Sequence, residues 1–483
     1  MPAGFNPAAD IVHALPEVFL CTMAIIILVL SFMIPDRRGW VEGLSVAAVV
    51  GTGLLLLRQL GEPVSAFSGM YLVDNFALFF KAIFLISTLF VILMSINYLH
   101  LERVPAGEFY AILLFSTLGM MFIASGGNLL SLYIGLETMS VSIYVLAGFL
   151  KRDPRSNEAA LKYLLMGTFT SGVILYGISL LYGLTGTLDI AETAANLEHV
   201  TLANPALMVA MVLLTAGFGF KIAAVPFHMY VPDVYQGAMT TVTAFLAVGS
   251  EAAGVAALLR VFLGAMPHIQ EDWAVLFWIL AVLTMTVGNV LAMAQRNMKR
   301  MLAYSSIAHI GYILIGFVVG TEQAISAILL YVLIYEFMTA GAFTMVVYLR
   351  TEAVKGDLIE DFAGLARVKP LASAAMVIFL LSLTGIPPTA GFVGKFYLFA
   401  AAINAGYIWL AIIAAMNTAV SLFYYMRVAM LMYTPEAPGP VAVSASRSVN
   451  AALIIAVLGT LIIGIFPQWF LLLAQASIYG LLP

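Results

Sequence analysis

Long apolar runs separated by short polar breaks set the rhythm of this chain. A helix needs about 20 apolar residues to cross the hydrocarbon of a bilayer. Fourteen runs reach or approach that length: 14–34, 40–60, 73–99, 109–125, 128–150, 159–183, 205–230, 238–262, 273–294, 300–320, 323–349, 370–403, 407–433 and 450–481. The last is expected to break near Pro467. None shows the residue-by-residue alternation that a membrane β-barrel requires. The pattern therefore predicts an all-α polytopic membrane protein with about 14 transmembrane helices.

Composition agrees. The 483 residues are 63% hydrophobic and 10% charged, which leaves very little mass for the aqueous phases. A net charge of -4 without a basic patch gives no reason to expect nucleic acid as a partner. Cys21 is the only cysteine, so neither an internal disulfide nor a thiolate metal site can form. No lysine or arginine precedes Arg37, which argues against a secretory or transit peptide and for Ala14–Ile34 as a retained first span.

Charge placement orients the helices. Alternate loops carry Arg37, Arg38, Arg103, Lys151, Arg152, Arg155, Arg296, Lys299, Arg300, Arg350, Lys355, Arg367, Lys369 and Arg447. The other loops carry acids such as Asp189, Glu192, Glu198, Glu271 and Asp272, with only Arg58 and Arg260 near helix ends. By the positive-inside rule the first set is cytoplasmic and both termini lie outside. The longest cytoplasmic loop, Thr351–Lys369, is either a solvated connector or a docking segment, and 435–448 reads as a flexible linker.

Two runs are interrupted in the same way. GFGFKIAAVPFHMYVPDVYQG (217–237) holds Lys221 beside Pro226 and Pro232, and SLTGIPPTAGFVGKFYLF (382–399) holds Lys395 after Pro387 and Pro388. A proline frees a backbone carbonyl, which membrane depth tolerates only against protein or water. A lysine beside such a break is what a hydrated, buried ion site looks like. The seventh and twelfth spans are five helices apart, and an odd offset reverses direction, the mark of an inverted repeat. The expected division is an N-terminal three-helix segment (1–105), two inverted five-helix repeats (106–265 and 266–434), and a linker with the last helix (435–483).

Inside the spans stand Lys81, Glu137, Lys162, Lys221, His228, Glu251, His309, Glu336 and Lys395. Glu137, alone in its helix, needs a partner from another helix, and a buried pair with Lys221 is the natural expectation. Its bland alternative is a static structural pair. Lys162, one turn after Glu158, could instead snorkel to the interface. Lys81, seven residues after Asp74, shares its helix face and could simply pair with it. Glu251 lies in mid-span among small residues that let helices approach closely. His228, His309 and Glu336 could pass protons or merely be hydrogen-bonded.

The segments QRNMKRMLAYSSIAHIGY (295–312), KIAAVPFHMYVPDVYQG (221–237) and TGIPPTAGFVGKFYLF (384–399) resemble the antiporter-like membrane subunits of respiratory complex I. Lys395 in GFVGKFYLF, the length and the span count resemble the subunit N branch; subunit L carries a long lateral C-terminal helix that has no counterpart here. The resemblance implies a proton-translocating subunit without a redox cofactor of its own. FMN, iron–sulfur clusters and quinone would belong to partner subunits, and the neighbours would be antiporter-like subunit M and small membrane subunits in a bacterial inner membrane. It also implies roles. Glu137 looks like the fifth-helix glutamate, Lys221 its seventh-helix partner and Lys162 the sixth-helix lysine. His228 looks like the histidine of the VPFH motif, and Lys395 the twelfth-helix lysine facing the outlet. With Glu251 and His309 these form the expected relay.

The chain departs from the family pattern twice. Ser250-Glu251-Ala252-Ala253 stands where a lysine is usual, and QGAMTTVTAFL has Met239 and Thr241 where prolines are common. A multi-subunit cation/proton antiporter is the alternative reading, marked by sodium-dependent exchange without a redox partner. A scaffold with a lapsed relay is a third, suggested only by Glu251.

Overall fold

The computed structural model describes residues 7–33, 38–61, 63–351, 355–434, 443 and 446–478. Arg37 and residues 435–442, 444 and 445 of the 435–448 linker lie outside the described residues. Short α1 (Pro7–His13) leads into α2 (Leu15–Met33) and α3 (Arg38–Leu57). A hairpin of β1 (Val64–Ala66) and β2 (Tyr71–Val73) precedes α4 (Asn75–Glu102), α5 (Ala106–Ala124), α6 (Leu129–Ala147) and α7 (Pro154–Thr185). Short α8 (Ile190–Leu197) runs into α9 (Pro205–Lys221), α10 (Val231–Gly237), α11 (Thr240–Phe245) and, after a π turn at Leu246–Ser250, α12 (Glu251–Ala265). Next are α13 (Gln270–Met293), α14 (Met298–Val319), α15 (Glu322–Tyr348) and α16 (Leu365–Val368). The chain finishes with α17 (Pro370–Thr384), α18 (Ala390–Asn404), α19 (Ile408–Met432), α20 (Arg447–Ile465) and α21 (Pro467–Ala476).

The fold is all-helical apart from the hairpin. Among the described residues, 12 helices are long and apolar enough to cross a membrane. The shorter apolar helices α9, α17 and α18 fall where the sequence predicts interrupted spans. Each break has a local cause. At the first, α9 ends on Lys221, Ala223 takes the left-handed region (φ 59) and a cis peptide precedes Pro226. At the second, Gly385 (φ 91) ends α17 in a conformation only glycine adopts freely, and a cis peptide joins Pro387 to Pro388. Pro467 separates α20 from α21, as predicted. The apolar pattern did not foresee the hairpin, whose strands of three residues are too short to show a period, or the short helices α1, α8 and α16 outside the long runs.

The centre of the molecule is α11–α12, α14 and α15. The apolar windows of Thr240–Ala265 and Met298–Val319 are wholly buried, whereas no more than about a third of those of α2, α3 and α20 is buried. Helices that are apolar all round and enclosed by others form a core, and the outer ring faces lipid. Those central helices carry Glu251, His309 and Glu336.

Small residues set the closest approaches. A Cβ on Gly119 of α5 would lie 2.4 Å from the backbone nitrogen of Met139 and 2.7 Å from the Gly135 carbonyl on α6. On Gly288 of α13 it would lie 2.7 Å from the Ala308 nitrogen and 2.9 Å from the Tyr304 carbonyl on α14. Asn128 caps α6 with its side chain and bridges to Asp189; Asn297 caps α14 and bridges to Leu358. Positions 288 and 119 differ by 169, and so do 297 and 128, 308 and 139, and 358 and 189.

Candidate functional site

Lys221, at the end of α9, is buried, and its ammonium donates to the Ser140 hydroxyl at 2.9 Å. Ser140 lies three residues beyond Glu137 on α6, nearly one turn along the same face. The Glu137 carboxylate is partly buried and accepts a short hydrogen bond from Ser171 of α7. The expected direct pair is therefore corrected: no ion pair joins Glu137 to Lys221, because a serine hydroxyl on each side occupies the polar group. The ring of Tyr230 stacks on Phe220 (4.2 Å) and Tyr163 (5.1 Å), and its hydroxyl donates to the Phe220 carbonyl at 3.0 Å. This closes the first break with aromatic surface. His228 is half-buried across the break, and its Nδ1 has no partner among the described residues.

Glu251 follows the π turn directly. Such a turn adds a residue to a helix and re-aims the side chain after it, and π turns cluster at functional positions. Glu251 is 4% exposed. Its Oε1 accepts from the Tyr235 hydroxyl at 2.7 Å and from Ser306 at a shorter distance; Oε2 has no partner among the described residues. No ion pair involving this carboxyl forms among the described residues. A buried carboxyl held by hydroxyls on one oxygen can take up a proton on the other without breaking an ion pair.

His309 lies between Tyr331 and Tyr425, at 2.7 Å from Nδ1 and 3.3 Å from Nε2. The Tyr425 hydroxyl also makes a short contact with Ser305. Lys395 is 3% exposed and donates to the carbonyls of Leu383 (3.1 Å) and Thr384 (2.9 Å), the last two residues of α17. Its ammonium stands 4.5 Å from the Tyr312 ring centroid. Free carbonyls at a helix C-terminus and an aromatic face both favour a cation there. Tyr312 is in turn held by Asn289 (3.3 Å) and Thr418 (3.4 Å).

Other candidates sit elsewhere. Lys162 is 41% exposed and pairs with Glu158 and Asp233, both at 2.7 Å, while Asp233 also takes Arg300 at 2.7 Å. It stands at the margin of the structure, not among the enclosed groups. Lys81 does not pair with Asp74: it pairs with Glu17 of α2 at 2.7 Å and donates to Tyr71 at 2.8 Å. Asp74 pairs with Arg260 at 2.8 Å and caps α4. The same-face spacing lost to partners on other helices. Outside the spans, burial and the nearby Glu17 carboxylate hold the Tyr71 phenol far above its ordinary range. Glu336 accepts from Ser87 of α4 at 2.5 Å, and its Oε1 has no partner among the described residues. The sequence reading missed Ser140, Tyr235, Ser306 and Tyr312, which carry no charge and so give no signal in an apolar run. It also missed Glu17, which lies so close to the start of its run that it reads as a helix-end residue.

Comparison with known proteins places this geometry. Residues 126–421 match the family described as NADH:quinone oxidoreductase/Mrp antiporter, TM. The chain is 47% identical over 469 residues to NADH-quinone oxidoreductase subunit N of Trichlorobacter lovleyi, covering 96% of each chain. It superposes on a chain of respiratory complex I from Thermus thermophilus with a TM-score of 0.80 at 33% identity, covering 95% of this chain and 99% of that one. A chain of the Mrp complex from Dietzia sp. shares the fold, with a TM-score of 0.84 at 21% identity over 99% and 98% of the two chains. This polytopic membrane chain belongs to the antiporter-like membrane subunits of the NADH-quinone oxidoreductase family, in the subunit N branch.

Proposed function

We propose that this chain moves protons across a bacterial inner membrane as a non-redox subunit of a redox-driven NADH:quinone oxidoreductase. One observation carries the reading. Lys221, Glu251, His309 and Lys395 are all buried, and each is held by neutral hydroxyls or carbonyls, not by a counter-charge. A group so held can change its charge without breaking an ion pair. Protons would enter from the cytoplasm near Lys162 and His228, pass along Lys221, Glu251 and His309, and leave at Lys395. Water in the polar gaps would complete the hops.

Glu137 acts in this scheme as a movable counter-charge. Approach of its carboxylate favours the ammonium form of Lys221, and withdrawal leaves desolvation to favour the neutral amine, so the proton is released. The two titrate as one coupled system. The cation/proton antiporter is the less favoured reading, since the matched family covers both classes and the Mrp chain is 21% identical, while 47% identity links this chain to subunit N.

Several further assignments belong to the same proposal. Each broken pair, α9 with α10 and α17 with α18, counts as one crossing, which gives fourteen spans with both termini periplasmic. Residues 106–265 and 266–434 are the two inverted repeats, a reading supported by the recurring separation of 169 between paired glycines, asparagine caps and bridges (288 and 119, 297 and 128). FMN, iron–sulfur clusters and quinone reside in partner subunits, with antiporter-like subunit M and small membrane subunits beside this chain. The decisive experiment replaces Lys221→Ala in the intact complex. Assembly should persist while redox-coupled proton uptake falls to background, and normal pumping by an assembled variant would end this role for Lys221.

A further inference from the structure

A groove runs down the lipid-facing side of the molecule between α17 and α20, enclosing a volume of about 670 Å³. Its walls are apolar, made by Ala374, Ala375 and Ile378 on one helix and Leu453, Val457 and Leu458 on the other. At its mouth stand Lys369, Asn450 and Tyr348. These three lie at the ends of α17, α20 and α15 that the positive-inside pattern makes cytoplasmic, the level of lipid headgroups. Arg367 precedes Lys369 by two residues, and Arg447 lies one helical turn before Asn450. The side chains of Arg367, Lys369 and Arg447 have no ion-pair or hydrogen-bond partner among the described residues. No acid lines the groove among the described residues.

Position and lining select the kind of occupant. From Pro370 to Ile378, and from Asn450 to Leu458, each apolar wall is about 12 Å long at 1.5 Å per residue and runs inward from the headgroup level, as an acyl chain does. The charge at the mouth then selects the headgroup: cations without counter-ions among the described residues, beside an amide and a phenol, suit a phosphodiester, and basic pockets between helices on the cytoplasmic side bind anionic lipids.

We propose that this groove is a specific site for an anionic phospholipid, its acyl chains between α17 and α20 and its phosphate at Lys369 and Arg447. The lipid would wedge the second broken span against the last helix. That places it on the outer side of the helix whose C-terminal carbonyls hold Lys395.

The test places a photoreactive benzoylphenylalanine at Leu371, a groove residue 87% exposed, in the full chain within its complex. The complex is reconstituted in vesicles of equal parts phosphatidylglycerol and phosphatidylcholine, irradiated and analysed by mass. The expected product is a phosphatidylglycerol adduct exceeding the phosphatidylcholine adduct at least fivefold. Each basic residue near the surface contributes roughly a fivefold preference, so Lys369→Gln with Arg447→Gln should bring the ratio close to one. Leu458→benzoylphenylalanine, on the facing wall, serves as a second probe should the first variant not assemble. Equal capture of the two lipids, a ratio unmoved by the double variant, or a cross-link to another polypeptide in place of lipid would each overturn the proposal.

Discussion

The sharpest test of the relay concerns Glu251, because its surroundings allow the effects of charge and of packing to be separated. Glu251→Gln keeps the length of the side chain and an oxygen that can accept from Tyr235 and Ser306. It removes the ability to bind and release a proton. A hydrogen bond to a charged acceptor contributes about 1.5–3 kcal/mol and to a neutral one about 0.5–1.5. Two such exchanges cost about 2–3 kcal/mol where the native group is ionised, and almost nothing where it is protonated. The stability of the variant thus reports the charge of the native side chain. Glu251→Leu leaves two buried hydroxyls without their acceptor, at about 1–3 kcal/mol each, so it should assemble less well than the glutamine variant. Both variants should lose translocation. The assay is inverted membrane vesicles given NADH and quinone, with acidification followed beside electron transfer. An assembled Glu251→Gln complex moving the wild-type number of protons per electron pair would refute a relay role for this carboxyl and leave it a packing residue.

Two further predictions address the frame around the relay. Lys81→Met strands the buried Glu17 carboxylate and should destabilise the chain by about 3–5 kcal/mol, whereas Glu17→Gln with Lys81→Met should recover most of that; heat-inactivation midpoints of the three complexes decide it, and equal midpoints for single and double variants would contradict a locked pair. Gly288→Ala sets a methyl within 2.7 Å of the α14 backbone, which must move away, so thermal stability should fall by about 1–3 kcal/mol; Gly43→Ala, with open space around its position, is the control expected to melt like the wild type.

Charge in an apolar run is conspicuous, and this made Lys221, Glu251, His309 and Lys395 legible from sequence. The paired prolines made the two breaks legible for the same reason: each defies its surroundings. Their partners were not legible. Ser140 and Ser306 are ordinary residues in long apolar helices, and they meet Lys221 and Glu251 only because α6 packs near α9 and α14 near α12. Lys81 shows local reasoning failing in a defined way. Asp74 shares its helix face, yet the nearest carboxylate in space comes from 64 residues away in sequence, at Glu17. Lys162 lies where its snorkelling alternative put it: it stands on the rim, and Glu158 one turn before it and Asp233 meet it there. The π turn before Glu251 has no signature in the residues LAVGS that form it.

The buried charges divide by the kind of partner they have, and the proposed relay lies on one side of that division. Lys81 with Glu17, and Arg260 with Asp74, are enclosed ion pairs at 2.7 and 2.8 Å. Neutralising one member would strand the other in a low-dielectric interior, so such pairs are locked in one charge state and serve as fixed joints between α2, α4 and α12. Lys395 faces two carbonyls and an aromatic ring, Lys221 a serine, Glu251 two hydroxyls and His309 two phenols. Dipoles of this kind stabilise a charge yet can reorient, or be joined by water, when it leaves. They give each site a modest preference where an ion pair would give a deep well, and a proton moving through a row of sites needs wells of similar depth. By this criterion Glu336, held only by Ser87 and with one oxygen free of partners among the described residues, fits the proposed relay, and Lys162, exposed and gripped by two carboxylates, fits the entrance better than the buried row.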